Sequence, residues 1–203
     1  MNIAIIGATG NVGARLLEEA LRRNHRVTAI ARSASSLAPR TGVVTHDVDV
    51  HDGAALAAAL SGHDAVISSG RFVTIPAAAI LTPVKQAGVK RLLVVGGAGS
   101  LEIAPGVALV DTPQFPAEYK AEASAGRDFL QALRKENELD WTFLSPSALF
   151  VAGERTGAFR LGQDQLLTAA DGKSWISMED YAVAMFNEIE QPAHVGRRFT
   201  VGY

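Results

Sequence analysis

The run Gly7-Ala8-Thr9-Gly10-Asn11-Val12-Gly13 constrains the fold of this chain more than any other feature. It follows the apolar stretch Ile3 to Ile6, which reads as a short buried strand. It leads into Val12, Leu16, Leu17, Ala20 and Leu21, which recur at helical spacing on one face. Glycines between a strand and a helix each have a physical use. One permits a tight turn, the next lets the backbone approach a pyrophosphate, and the third allows close packing of the helix. The helix N-terminus adds amide donors and the positive end of the helix dipole. A glycine turn that holds no ligand is the competing reading, and the position of this one, opening the first strand-helix-strand unit of an alternating chain, favours a dinucleotide.

The alternation continues along the chain. Arg22, Arg23 and Asn24 supply a basic C-terminal turn and a residue that tolerates left-handed backbone, and Val27 to Ala31 reads as the next strand. Further strands are predicted at Val43 to Thr45, Ala65 to Ile67, Leu92 to Val95, Trp141 to Leu144 and Phe199 to Val201, with helices over Ala54 to Leu60 and Ala117 to Asn137. Thr74 to Ala87 has a helical pattern that Pro83 should kink or restart, with Thr82 as cap. Ser177 and Asp180 resemble a capping box opening a helix that ends near Glu190. The expected fold class is α/β: a doubly wound, mostly parallel Rossmann sheet with helices on both faces. No linker or repeat divides it, so residues 1–203 are expected to form a single NAD(P)-binding domain. The Gly-rich segment 152–173 is expected to be a small substrate-side lobe of that domain.

Composition narrows the function. With 203 residues, 48% of them hydrophobic and 20% charged, the chain can bury an ordinary core. Its formal charge of −2 and scattered cations leave no footprint for nucleic acid. Cysteine is absent, which removes disulfides and thiolate chemistry and fits a reducing compartment, so a cytoplasmic location is expected. Met1 to Ile6 lacks the basic region of a signal peptide, and no apolar stretch approaches the roughly 18 residues of a membrane span. His25, His46, His51, His63 and His194 lack metal-ligand spacing, and no metal is expected. The absence of a Gly-x-Ser-x-Gly elbow leaves a hydrolase triad without an anchor. Nothing in the sequence specifies an oligomeric state.

The end of the second strand discriminates between cofactors. A carboxylate there would bond the ribose 2′-hydroxyl of NAD, whereas this chain has Arg32 and Ser33, suited to a 2′-phosphate, so NADP(H) is favoured over NAD(H). Asp49 and Val50 are placed to meet the adenine amino group and ring, with Asp47 and Val48 an equally spelled rival and a turn-capping Asp the alternative. Ligands of such sheets lie beyond the carboxyl ends of the strands. Ser68, Ser69, Gly70, Gly96, Gly97, Ser145, Pro146 and Ser147 are therefore expected to line the cleft.

The glycine turn, Arg32, the run Gly96-Gly97-Ala98-Gly99-Ser100, Lys120 and the stretch Ile176 to Ala182 together resemble an atypical short-chain dehydrogenase/reductase. The chain is most similar to the NADH-flavin reductase group, relatives of the NmrA-like and biliverdin-reductase-B-like proteins. That resemblance implies a Rossmann fold, a reduced nicotinamide cofactor and flavin or quinone as acceptor, with flavin acting as substrate rather than as a bound prosthetic group.

The chain departs from ordinary short-chain dehydrogenases at their Tyr-x-x-x-Lys pair. Aligning the lysine with Lys120 puts Pro116 where the tyrosine belongs. Tyr119 is one residue from Lys120, and neighbours on a helix diverge by about 100°. Lys120, Tyr119 and Ser147 remain weak catalytic candidates, and Lys120 is also a candidate for holding the nicotinamide ribose. Carbonyl reduction needs a proton donor, but flavins and quinones delocalise charge and take protons from water. The expected activity is NADPH-dependent hydride transfer to a planar small-molecule acceptor. The alternatives are an NADP-binding redox sensor without turnover and an atypical epimerase or dehydratase.

Overall fold

The computed structural model describes residues 1–203. Its elements in chain order are β1 (Asn2–Ile6), α1 (Asn11–Arg22), β2 (Arg26–Ala31), β3 (Val43–Asp47), α2 (Gly53–Leu60), β4 (Ala65–Ser68), α3 (Ala77–Gln86) and β5 (Arg91–Val95). They continue with β6 (Glu102–Ala104), β7 (Val107–Ala108), α4 (Ala117–Leu133), β8 (Asp140–Pro146), β9 (Leu149–Val151), β10 (Arg160–Gly162), β11 (Trp175–Ser177), α5 (Met178–Glu190) and β12 (Arg197–Gly202).

Eight strands form the central sheet in the order β10-β12-β8-β5-β4-β1-β2-β3. Every pair is parallel except β10 with β12. The chain winds outward from β1 to β3, then returns to the other side of β1 at β4. That reversal opens a crevice beyond the carboxyl ends of β1 and β4, the ligand position of doubly wound sheets. The architecture is the Rossmann type.

The alternation of side chains in β1 splits the core in two. Ile3 and Ile5 pack with Leu16, Leu17 and Ala20 of α1 and with Tyr181, Met185 and Phe186 of α5. Ala4 and Ile6 face Leu56, Ile80, Val84, Phe129 and Leu133, contributed by α2, α3 and α4. Both faces of the sheet are covered, which is why these strands read as continuous apolar runs.

Most local expectations hold. Asn24 takes left-handed backbone, φ 61°, after α1, and Ser177 Oγ accepts the Asp180 N–H at the start of α5. The restart at Thr82 does not occur: α3 runs as one helix from Ala77, after Pro76, with Pro83 inside it. The Pro83 ring is buried, on the side of α3 that faces Gly53 at the start of α2. Helix α4 stops at Leu133 rather than Asn137, and Pro116 immediately precedes it, a position where its fixed φ suits helix entry. The small pairs β6·β7 and β9·β11, and strand β10, have no sequence pattern long enough to announce them.

Segment 152–173 is divided. Its first half crosses toward α1 and α5: Glu179 accepts the Gly153 N–H, Asp180 accepts those of Thr156 and Gly157, and Arg155 pairs with Glu19. β10 then joins the main sheet. Leu166, Thr168 and Gly172 of the second half reach the cleft side.

Candidate functional site

The glycine turn is held by contacts that exclude side chains. Gly7 has φ +82°, and a Cβ there would lie 2.3 Å from the Ser69 carbonyl oxygen; one on Gly13 would lie 2.0 Å from that of Gly7. Gly7 N–H donates to the Ile30 carbonyl at 2.8 Å, tying the turn to β2. Gly10 is the N-cap of α1, makes no side-chain cap bond and is followed by no acid in the first turn. The amides of Asn11, Val12 and Gly13 therefore stand at a helix start without a side-chain acceptor, which is the donor chemistry a pyrophosphate requires.

Around the turn lies a groove of about 480 Å³. Gly7, Thr9 and Gly10 form its floor, Arg32 and Ser33 one wall, and Val48, Asp49, Val50 and His51 another. Arg32 and Ser33 are exposed. Asp47 is engaged elsewhere: its carboxylate accepts the Ser35 hydroxyl and amide, and these bonds hold it below the usual carboxylate range. Asp49 lines the groove while accepting the His51 amide at 2.9 Å, so it both caps a turn and presents a carboxylate. Of the two equally spelled Asp-Val pairs, Asp49-Val50 is the one with both members in the groove.

The loop after β4 separates this groove from a second hollow. Ser69, Arg71, Thr74 and Ile75 face the groove, and Phe72 faces a cavity of about 750 Å³. Gly96 to Gly99 after β5, residues of α4 with the loop before it, Pro146 to Phe150 after β8, and Leu166 to Ser174 complete its wall. The Phe72 ring rests on Phe129 and Phe143. Glu122 of α4 fixes the loop by accepting the Phe72 and Val73 amides at 2.7 and 3.1 Å.

Not every sequence candidate reaches these hollows. Ala8 is fully buried and Val12 packs on the α1/α5 core, so only their backbones face the turn. Ser68 and Ser145 are buried and line neither hollow, in contrast to Ser69 and Pro146. Gly70 packs on Ile75. Ser147 lines the cavity, but its hydroxyl donates to the Val201 carbonyl at 3.0 Å. The cavity side of α4 carries Tyr119, Glu122 and Ala123, with Pro116 just before the helix; Lys120 is exposed and outside the wall. Tyr119 sits at the rim, 62% exposed. The buried Tyr181 hydroxyl, pushed well above its ordinary pKa by burial, bonds the Leu144 carbonyl and is structural. Arg155 is an ion-pair partner of Glu19, away from both hollows.

Sequence reasoning missed Phe72, Leu109, Phe115, Glu122 and Phe150. Isolated aromatics and one helical acid carry no local signal, because four distant segments bring them together.

The chain is similar in sequence and fold to several known proteins. A Bacteroides thetaiotaomicron structure, provisionally named an epimerase, superposes with a TM-score of 0.94 at 42% identity, covering 100% of this chain and 96% of that one. A Streptococcus pneumoniae structure, provisionally named an NADH-flavin reductase, gives a TM-score of 0.88 at 36% identity over 100% and 99%. The NAD(P)H azoreductase of Xenophilus azovorans is 28% identical over 98% of this chain and 67% of its own. Residues 7–192, from the first glycine of the turn to the end of α5 and beyond, match the family described as NAD(P)H-binding, and the chain belongs to that family.

Proposed function

We propose that the protein is an NADPH-dependent reductase of planar acceptors such as flavins or quinones. The observation that carries the reading is the pair of neighbouring hollows. A groove with unpaired helix-start amides and a free-standing arginine meets, across one loop, an aromatic-walled cavity at the carboxyl end of β5.

In this reading the amides of Asn11, Val12 and Gly13 hold the pyrophosphate. Arg32 and Ser33 take the 2′-phosphate, and Asp49 and Val50 meet the adenine. Gly96, Gly97, Pro146 and Ser147 leave room for the nicotinamide end. A nicotinamide held there would supply a hydride from its C4, and one proton from water would complete the two-electron reduction of the acceptor. Phe72, Phe115 and Phe150 provide flat apolar surface that aligns the acceptor and excludes water. The Ser147 hydroxyl is engaged, Lys120 lies outside the wall, Pro116 has no proton to give and the Tyr119 phenol stands largely exposed at the rim, so the site favours acceptors that need no enzymic acid. The names of the azoreductase and flavin reductase relatives describe reduction of conjugated acceptors, in line with this. Residues 1–203 act as one cofactor-binding domain, with the second half of segment 152–173 as acceptor-side wall.

The test is steady NADPH oxidation against flavins, quinones, azo compounds and simple aldehydes. Turnover with the conjugated acceptors and little with aldehydes is expected. NADPH binding without turnover on any acceptor would replace this reading with that of a cofactor-sensing protein, which the exposed position of Tyr119 and the absence of Lys120 from the cavity wall would then explain.

A further inference from the structure

We infer that the acceptor cavity selects uncharged planar acceptors against anionic ones, so that its substrates are neutral flavins and quinones rather than flavin phosphates or sulfonated aromatics. This rests on the reading above and adds a substrate class to it. Glu122 carries the only formal charge in the cavity wall, and no Lys, Arg or His lines it. Its carboxylate oxygens are fixed by the Phe72 and Val73 amides, so it cannot swing away from an incoming ligand without releasing the loop.

Of the cations on the surrounding elements only Arg71 reaches Glu122, with Nε 3.8 Å from its carboxylate, and it stands largely exposed on the groove side rather than in the cavity wall. Most of the others are paired with other groups. Arg127 pairs with Asp111, Arg198 with Asp164 and Lys173 with Asp171. Arg160 donates to the Thr168 and Tyr203 carbonyls. Lys120 is exposed and outside the wall.

An anion entering the cavity would lose water, gain no counter-charge and meet a fixed carboxylate. A neutral ring system loses little on entering and finds an amide at Gln114 and a hydroxyl at Thr168 for its carbonyl edges. The cavity thus differs from the groove beside it, where the helix start and Arg32 favour negative charge.

Riboflavin and its 5′-phosphate, FMN, share one ring system and differ by the phosphate, so they isolate the effect. At saturating NADPH, kcat/KM for riboflavin should exceed that for FMN by about threefold to tenfold, the size expected of one like-charge contact that a solvent-exposed arginine and two amides compensate only in part. Flavin fluorescence titration of the protein without nicotinamide should show the same order of dissociation constants. Gln114→Lys, at the exposed rim, should narrow the ratio severalfold by supplying a cation. Equal handling of the two flavins, in turnover or in binding, overturns the inference while leaving the reductase reading intact. Failure of every acceptor to oxidise NADPH overturns that reading instead, and the binding ratio still decides the charge selection: a value near one refutes it, and a preference for riboflavin supports it.

Discussion

The groove and the proposed acceptor cavity lie side by side and are built in opposite ways. The groove's floor is made of backbone from one short stretch, and its shape is enforced by approaches so close that a methyl group would collide with a carbonyl. The cavity's wall is made of side chains from the loop after β4, the loop after β5, α4, the β8–β9 connection and the segment before β11. A site formed by local backbone tolerates few substitutions and binds one invariant chemical group. A site formed by distant side chains can change its ligand by changing any of them. Under the proposed function, cofactor recognition belongs to the first region and acceptor choice to the second.

The sharpest way to break this comparison is Gly13→Ala. Its new methyl would lie 2.0 Å from the Gly7 carbonyl oxygen, so the α1 start must move. A loss of about 1–3 kcal/mol of stability, typical of overpacking, is expected together with loss of measurable NADPH binding. A Cβ on Gly97, on the cavity side, would meet nothing within 4 Å. Gly97→Ala should therefore leave the melting temperature unchanged, and a large drop there would remove the proposed contrast.

Next in size is Arg32→Ala. Hydrogen bonds to charged groups contribute about 1.5–3 kcal/mol, and exposure of this arginine favours the lower end, so NADPH affinity should fall roughly tenfold with NADH affinity unchanged. Titrations of both cofactors at one ionic strength test this, and an equal loss for both would make Arg32 a general structural contact.

A smaller effect should appear on the acceptor side at acid pH. Burial alone would raise the Glu19 pKa, but its bonds to Arg155 and Arg23 prevail and hold it below its ordinary value of 4.5. A lowered folded-state pKa contributes stability above the unfolded value, and that stability is lost as pH falls through the folded one. Below about pH 4.5 the anchor of segment 152–173 on α1 should therefore weaken, and Glu19→Gln should flatten that limb of the stability profile. At neutral pH Arg155→Ala should raise KM for the acceptor more than it raises Kd for NADPH, because this segment continues into the cavity wall rather than the groove. A shift confined to NADPH would contradict the division.

Least should follow from Tyr119→Phe. The phenol stands at the rim, largely exposed, and turnover is expected to stay within a few-fold of the parent. A loss near a thousandfold with folding and cofactor affinity intact would make this hydroxyl the proton donor.

What could be read in the sequence follows the same division. Gly7, Gly10 and Gly13, the continuous apolar run of Ile3 to Ile6, the helical spacing of Leu16 to Leu21 and the capping pair Ser177 and Asp180 are local patterns, each stating its own backbone conformation. They suffice for the Rossmann order and for the groove. Even the choice between Asp47 and Asp49 needed the fold, since only the packing of Ser35 against β3 shows which carboxylate is occupied. Asp180 makes the same point, because its side chain turns from the expected capping partner to the amides of Thr156 and Gly157. The unbroken run of α3 through the buried Pro83 was likewise decided by the fold and not by the proline's local preference. The sequence by itself determined the strand-turn-helix that meets a dinucleotide, because turns and periodicities act over a few residues. Only the tertiary structure decided that Phe72, Glu122, Phe150 and Thr168 enclose one cavity and that Lys120 stays outside it, because a wall assembled from remote segments is specified by the packing of the whole sheet and its helices and by no short stretch of chain.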